Sequence, residues 1–219
     1  MTLNDFAQIA QSVSVILAAC FAIHGFESWR REHIGKRRIE LAEEVLALFY
    51  QIRDAIADIR SSTGFGGEGS SRVPRDGERP EDKEALDSAF VLIERYRKHS
   101  ELFARVRALR YRVMAQLGVD AAAPFEVIDT LVAKLILSAH QLARMTTRSY
   151  WERINPEEEK KRHQQLMEVY KTYYSTGDED DPISPQVEST IAAIEKTCRA
   201  LIESRGTLYS FFNARVGGR

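Results

Sequence analysis

Residues Phe6 to Phe26 form an unbroken run of 21 residues with no formal charge when His24 is neutral. As a helix rising 1.5 Å per residue, the run covers roughly 30 Å, the thickness of a bilayer's hydrocarbon core. Its centre, Val13 to Ile23, is apolar apart from Ser14, while Gln8, Gln11 and Ser12 make the first half less hydrophobic. Trp29 stands where an interfacial aromatic would stand, and Arg30, Arg31, Lys36, Arg37 and Arg38 follow it. Three readings compete. A cleaved signal peptide needs its basic residues before the apolar run, and here they come after it. A buried helix of a water-soluble bundle usually keeps charge on one face, and this run has none. A single membrane-spanning helix fits length, flanks and aromatic together. Basic residues stay on the cytoplasmic side, so this reading puts the N-terminus outside and the bulk inside. The expected division is an anchor, residues 1–28, and a cytosolic part, residues 29–219.

Ala10, Ser14, Ala18 and Ala22 recur every four residues within the run. Such a small-residue stripe lets two helices approach closely in lipid, and the Gln11 amide beside it is able to bond across the contact. These five residues are the expected association face, for self-association or for a partner helix. Chance is the competing explanation, because alanine is common in any helix.

Beyond the anchor the helix is predicted to continue. Leu41, Val45, Leu48, Ile52, Ala55 and Ile59 recur at spacings of 4, 3, 4, 3 and 4, the seam of a core-facing or coiled-coil helix. One rod from about residue 4 to 60 follows, with Gly25 and Gly35 as its weak points. Residues 61–80, "SSTGFGGEGSSRVPRDGERP", are rich in Gly, Ser and Pro and read as a flexible loop. A second helix is predicted over 81–117, stopped by Gly118, and a third from about Asp120 with the broadest apolar arc. Asn155-Pro156 followed by "EEE" is an N-cap signature for a fourth. Residues 176–185, "TGDEDDPISP", read as an acidic loop before a last helix to about Ala214, with "VGGR" as a frayed end. No segment alternates like a strand. The predicted class is all-α: an N-terminal transmembrane helix continuing into an antiparallel bundle of four to five long helices.

The chemistry of catalysis is hard to find. Di-metal bundles need Glu-x-x-His pairs, but the residues three before each histidine are Phe21, Arg30, Tyr96, Leu137 and Lys160. Nucleophile elbows, kinase signatures and dinucleotide fingerprints are missing, and "GFGGEG" lacks the Lys-Ser/Thr ending of a phosphate loop. His140, on the most apolar helix, is expected to be a buried core histidine. Cys20 and Cys198 show no metal-ligand spacing, and a reducing compartment is the simpler reading. No enzyme activity, metal or cofactor is expected.

One charge pattern rises above the background. From Ser88 to Leu117 there are seven basic residues against two acids, Glu94 and Glu101. At 100° per residue, Arg97, Lys98, Arg105 and Arg112 fall on one side of a continuous helix. This stripe is the expected partner or lipid surface. It has three uses to choose from: an acidic surface such as "GDEDD" in the same bundle or a partner, anionic headgroups, or nucleic acid. The net charge of −1 and the thin aromatic interleaving make nucleic acid the least favoured.

"WRREHIGKRRIELAEEVLALFYQIRDAIADIR", directly after an apolar helix, resembles a recurring type of bacterial single-span membrane protein. In that type W-R-x-E and G-K-R-x-x-E-L-A-E lead from a short membrane helix into a cytosolic one. The matching positions are Trp29, Arg30, Gly35, Lys36, Arg37, Glu40, Leu41, Ala42 and Glu43. The resemblance spans residues 6–60. It implies an anchor in a bacterial inner membrane and carries no activity with it.

The expected function is a membrane-tethered interaction module that holds or positions a protein partner at the inner face of that membrane. Lipid, a protein partner and a second copy of the chain are its expected partners. The first alternative is a soluble oligomeric adaptor that buries residues 6–26 between chains; the second is a nucleic-acid binder.

Overall fold

The computed structural model describes the backbone of residues 3–152, 154–177 and 180–216, and the side chains within these except residues 3–13, 19, 27, 28, 31 and 204–216. Every regular element among the described residues is helical. The first, α1, runs without interruption from Leu3 to Ile59, through both Gly25 and Gly35. Then come α2 (Lys83–Lys98), α3 (Ser100–Leu117), α4 (Ala123–Met145), the single turn α5 (Arg148–Trp151), α6 (Pro156–Tyr173) and α7 (Ser184–Val216).

The core begins where the predicted seam begins. Leu41, Val45, Leu48, Ile52, Ala55 and Ile59 are all buried. They meet Val187, Ile191, Ile194 and Cys198 of α7 and the Phe103, Val106, Leu109 and Val113 stripe of α3. Phe49 sets its ring edge-on to Phe125 of α4, 4.8 Å between centroids, a favoured aromatic geometry. Nine of the 23 residues of α4 are buried, so it is the central helix that its apolar arc predicts. α6 opens as expected: the Asn155 side chain accepts the Glu158 N–H at 2.8 Å, with Pro156 at the first position.

Two expectations need correction. Residues 81–117 are not one helix. The chain breaks at His99 (φ −98°, ψ 6°), where the ring Nε2 lies 2.8 Å from Asp58 Oδ2. The Ser100 hydroxyl donates to the Arg97 carbonyl at 2.7 Å, a local bond that competes with the helical ladder. The break lets α2 lie on α4 while α3 lies on α1. His140 is exposed; it sits on the solvent side of α4 because Ala139 and Leu142 take the inward phase.

Residues 61–80 have no helix until Pro80, yet they are fastened down. Glu68 pairs with Arg95 at 2.6 Å, Gly69 donates its N–H to Glu94 at 2.7 Å, and Arg72 bridges Glu78 and Asp87 at 2.6 and 2.7 Å. At Gly69 (φ +85°) a Cβ would stand 2.0 Å from the Asp87 carbonyl oxygen, so only glycine allows this approach.

Contacts along α4 orient the molecule. Its start faces Phe49 in mid-α1, and its end lies beside the start of α2, where Asp82 accepts the Arg148 N–H at 2.8 Å. The end of α2 returns to the end of α1, where Arg95 donates to the Asp58 carbonyl at 3.2 Å. The first half of α2 and the second half of α4 therefore extend past Ile59, away from the N-terminal part of α1.

Candidate functional site

The N-terminal part of α1 leaves the core. Val15, Ile16, Leu17, Ile23 and Phe26 are exposed, and Phe21 reaches 76% exposure. At 100° per residue these bulky side chains cover about two-thirds of the helix circumference. Ser14, Ala18 and Ala22 occupy the remaining arc and are likewise exposed. The result is an apolar shaft with a broad bulky side and a narrow small-residue side. Ala10 and Gln11, the first two members of the predicted association face, lie outside the described side chains.

Below the shaft comes a polar collar. Trp29 stacks on His33 at 5.5 Å and leans on Phe26 at 5.9 Å. Arg30, Lys36, Arg37 and Arg38 are exposed around it; the side chain of Arg31 lies outside the described set. Among the described residues no helix is long and apolar enough to cross a membrane. The first part of the predicted span, Phe6 to Val13, falls on side chains outside that set.

The basic stripe is divided among separate surroundings. Lys98 lies 3.6 Å from Glu68 and Arg112 2.9 Å from Glu44. Of the other cations in the cluster, Arg107 pairs with Asp129, Arg110 with Glu126 and Arg95 with Glu68. These carboxylates come from α1, α4 and the 61–80 loop; "GDEDD" supplies none of them. Arg97 is exposed, with its guanidinium 5.1 Å from the Phe90 ring centroid. Arg105 is exposed and has no ion pair among the described residues. Arg95–Glu68 is largely enclosed; the other pairs are more exposed and contribute about 0–1 kcal/mol each, so they set local geometry more than stability.

Two arginines that the sequence reading did not single out are buried and fully engaged. Arg60 donates to Asp181, Ser184 and the carbonyls of Lys171, Thr172 and Tyr174. Arg95 donates to Glu68 and the carbonyls of Asp58, Ser61 and Thr63. Each closes a helix end whose carbonyls have no helical partner. Burial pushes the Asp181 carboxyl up, but the Arg60 guanidinium, with the Ile183 and Ser184 donors, outweighs it and holds the group at about 2. The Arg95 hydrogen bond likewise holds Glu68 at about 2. The available signal was phase: Arg60 follows buried Ile56 by four residues and Arg95 follows buried Leu92 by three.

Among the described residues no group of three or more His, Cys, Asp or Glu side chains is placed to hold a metal. No protein-family model matches this chain, and neither a curated protein nor a solved structure matches it.

Proposed function

We propose that the protein is a membrane-tethered helical module: residues 6–26 span a bacterial inner membrane, and the bundle presents binding surfaces at its cytoplasmic face. One observation carries this reading. The apolar shaft and the core helix are the same uninterrupted α1, and the described bulky side chains of the shaft touch no part of the bundle that would cover them. Exposed apolar surface of that extent requires a cover. The Trp29 collar and the exposed Arg30, Lys36, Arg37 and Arg38 stand where a cytoplasmic interface would fall. Bulky residues toward lipid and the Ser14, Ala18 and Ala22 arc toward a second helix would suit a paired span. The resemblance read in the sequence of residues 6–60 implies the same placement, and no family model or known protein adds to it.

A second reading has its own support. No described helix is long and apolar enough to cross a membrane, and a soluble oligomer would bury the shaft between chains. A chain lacking residues 1–28 separates the two. Buried core residues begin at Leu41, so under the tether reading the shortened chain is monomeric, folded and released from membranes. Under the oligomer reading full-length protein is soluble without detergent, and the truncation dissolves the assembly. Nucleic-acid binding loses support because Lys98 and Arg112, two of the four stripe cations, already face carboxylates. Arg97 and Arg105 remain as the positions for a partner. Their joint reversal to glutamate is expected to abolish co-purification of a partner without changing the thermal midpoint; unchanged recovery would remove them from the surface.

A further inference from the structure

A cleft of about 850 Å³ opens between residues 71–79, α2 and the second half of α4. Its volume is that of a small-molecule site. Phe90, Ile93, Ala139 and Ala143 form an apolar wall. Five arginines and three carboxylates line the rest. Two of the carboxylates are already engaged: Glu78 takes both Nη atoms of Arg72, itself a lining residue, at 2.6 Å, and Asp82 accepts the Arg148 N–H at 2.8 Å; the third is Asp76. Arg79 pairs with Glu152 at 2.9 Å. The three arginines left, Arg75, Arg97 and Arg144, have no carboxylate within 4.0 Å among the described residues. The cation–π contact with Phe90 keeps the Arg97 guanidinium against the apolar wall.

We propose that this cleft binds a small organic phosphate, its headgroup taken by Arg75, Arg97 and Arg144 and its aromatic or aliphatic body laid on the Phe90–Ile93 wall. Guanidinium forks match phosphate oxygens in pairs, and an apolar wall strengthens their field. The source is a soluble molecule. Arg60 stands roughly 45 Å along α1 from Arg30, by the 1.5 Å rise, and the cleft lies beyond α1's end. Headgroups at the Trp29 collar are out of reach. Only this choice of source rests on the tether reading; the site itself does not.

The test titrates the purified full chain, in nonionic detergent, with phenyl phosphate, followed by calorimetry. Saturable one-to-one binding is expected, with inorganic phosphate weaker for lack of a body. Arg97→Ala and Arg144→Ala each weaken phenyl phosphate about tenfold, the worth of one charge-assisted contact. Arg105→Ala removes the same charge outside the cleft and leaves binding unchanged. Phe90→Ala narrows the preference for phenyl over inorganic phosphate. Thermal midpoints verify folding, and Arg97→Lys substitutes if Arg97→Ala unfolds. Absence of saturation by about 10 mM, two orders weaker than a 0.1 mM site, overturns the proposal. So does equal weakening by Arg105→Ala. Competition by short-chain phosphatidic acid dispersed in the same detergent, stronger than that of phenyl phosphate itself, would overturn the soluble source.

Discussion

Arg60 and Asp181, 121 residues apart, meet as a bidentate pair, Nη1 to Oδ2 at 3.0 Å and Nη2 to Oδ1 at 2.9 Å. Their side chains are 1% and 3% exposed. Asp181 also accepts the N–H groups of Ile183 and Ser184, which open α7. The same arginine takes three carbonyls at the end of α6 and sits one residue past the end of α1. One ion pair thus ties three helix ends at the centre of the bundle.

Breaking that pair from one side leaves a buried charge without its partner. Asp181→Ala is expected to cost about 3–5 kcal/mol, read as a fall in the urea midpoint. A loss under about 1 kcal/mol would mean that Arg60 behaves as a surface pair.

Acid sensitivity follows from the same groups. Asp181 and Glu68 are held at about 2, below their ordinary 3.8 and 4.5. A carboxyl depressed on folding stabilises above its unfolded value and loses that contribution as pH falls through the folded one. The stability of the chain is therefore expected to drop between about pH 5 and pH 2. Asp181→Asn and Glu68→Gln should each flatten that slope; equal slopes in the variants would contradict the assignment.

Gly69 controls the docking of residues 61–80. Gly69→Ala forces a Cβ onto the Asp87 carbonyl at positive φ, a strain of about 1–3 kcal/mol. Protease cleavage within 61–80 should rise sharply while the helical signal persists. Unchanged cleavage would place the loop off α2.

Burial pushes the Cys198 thiol up to about 11, and the side chain is fully enclosed. A Cys20→Ser chain should resist maleimide at neutral pH until unfolded, since the thiolate is the reactive form. Labelling at the rate of an exposed thiol would show that α7 does not dock on α1.

Periodicity made the skeleton legible. The Leu41–Ile59 seam, the central place of α4 and the Asn155 cap are local patterns of one helix each, and each stands in the structure as read. What escaped involves partners far apart in the chain. The Glu68–Arg95 pair that pins residues 61–80 spans 27 residues, and Glu44–Arg112 spans 68. Composition showed a loop without showing where its charges go. The break at His99 was hidden because "RKHSE" has no proline or glycine, and His99 is held by Asp58 of another helix. The predicted basic stripe assumed a continuous helix and offered "GDEDD" as its acidic surface; Lys98 and Arg112 instead meet Glu68 and Glu44. The cleft beside Arg97 joins three separate segments, and no local motif encodes it. The apolar run, by contrast, was visible at once; its described side chains, residues 14–18 and 20–26, stand exposed.

The central claim is that residues 6–26 lie in a bilayer, and membrane fractionation with an alkaline carbonate wash tests it most directly. The account predicts that full-length protein stays in the pellet and needs detergent for release. Recovery in the carbonate supernatant would contradict it and make the shaft an interface between chains.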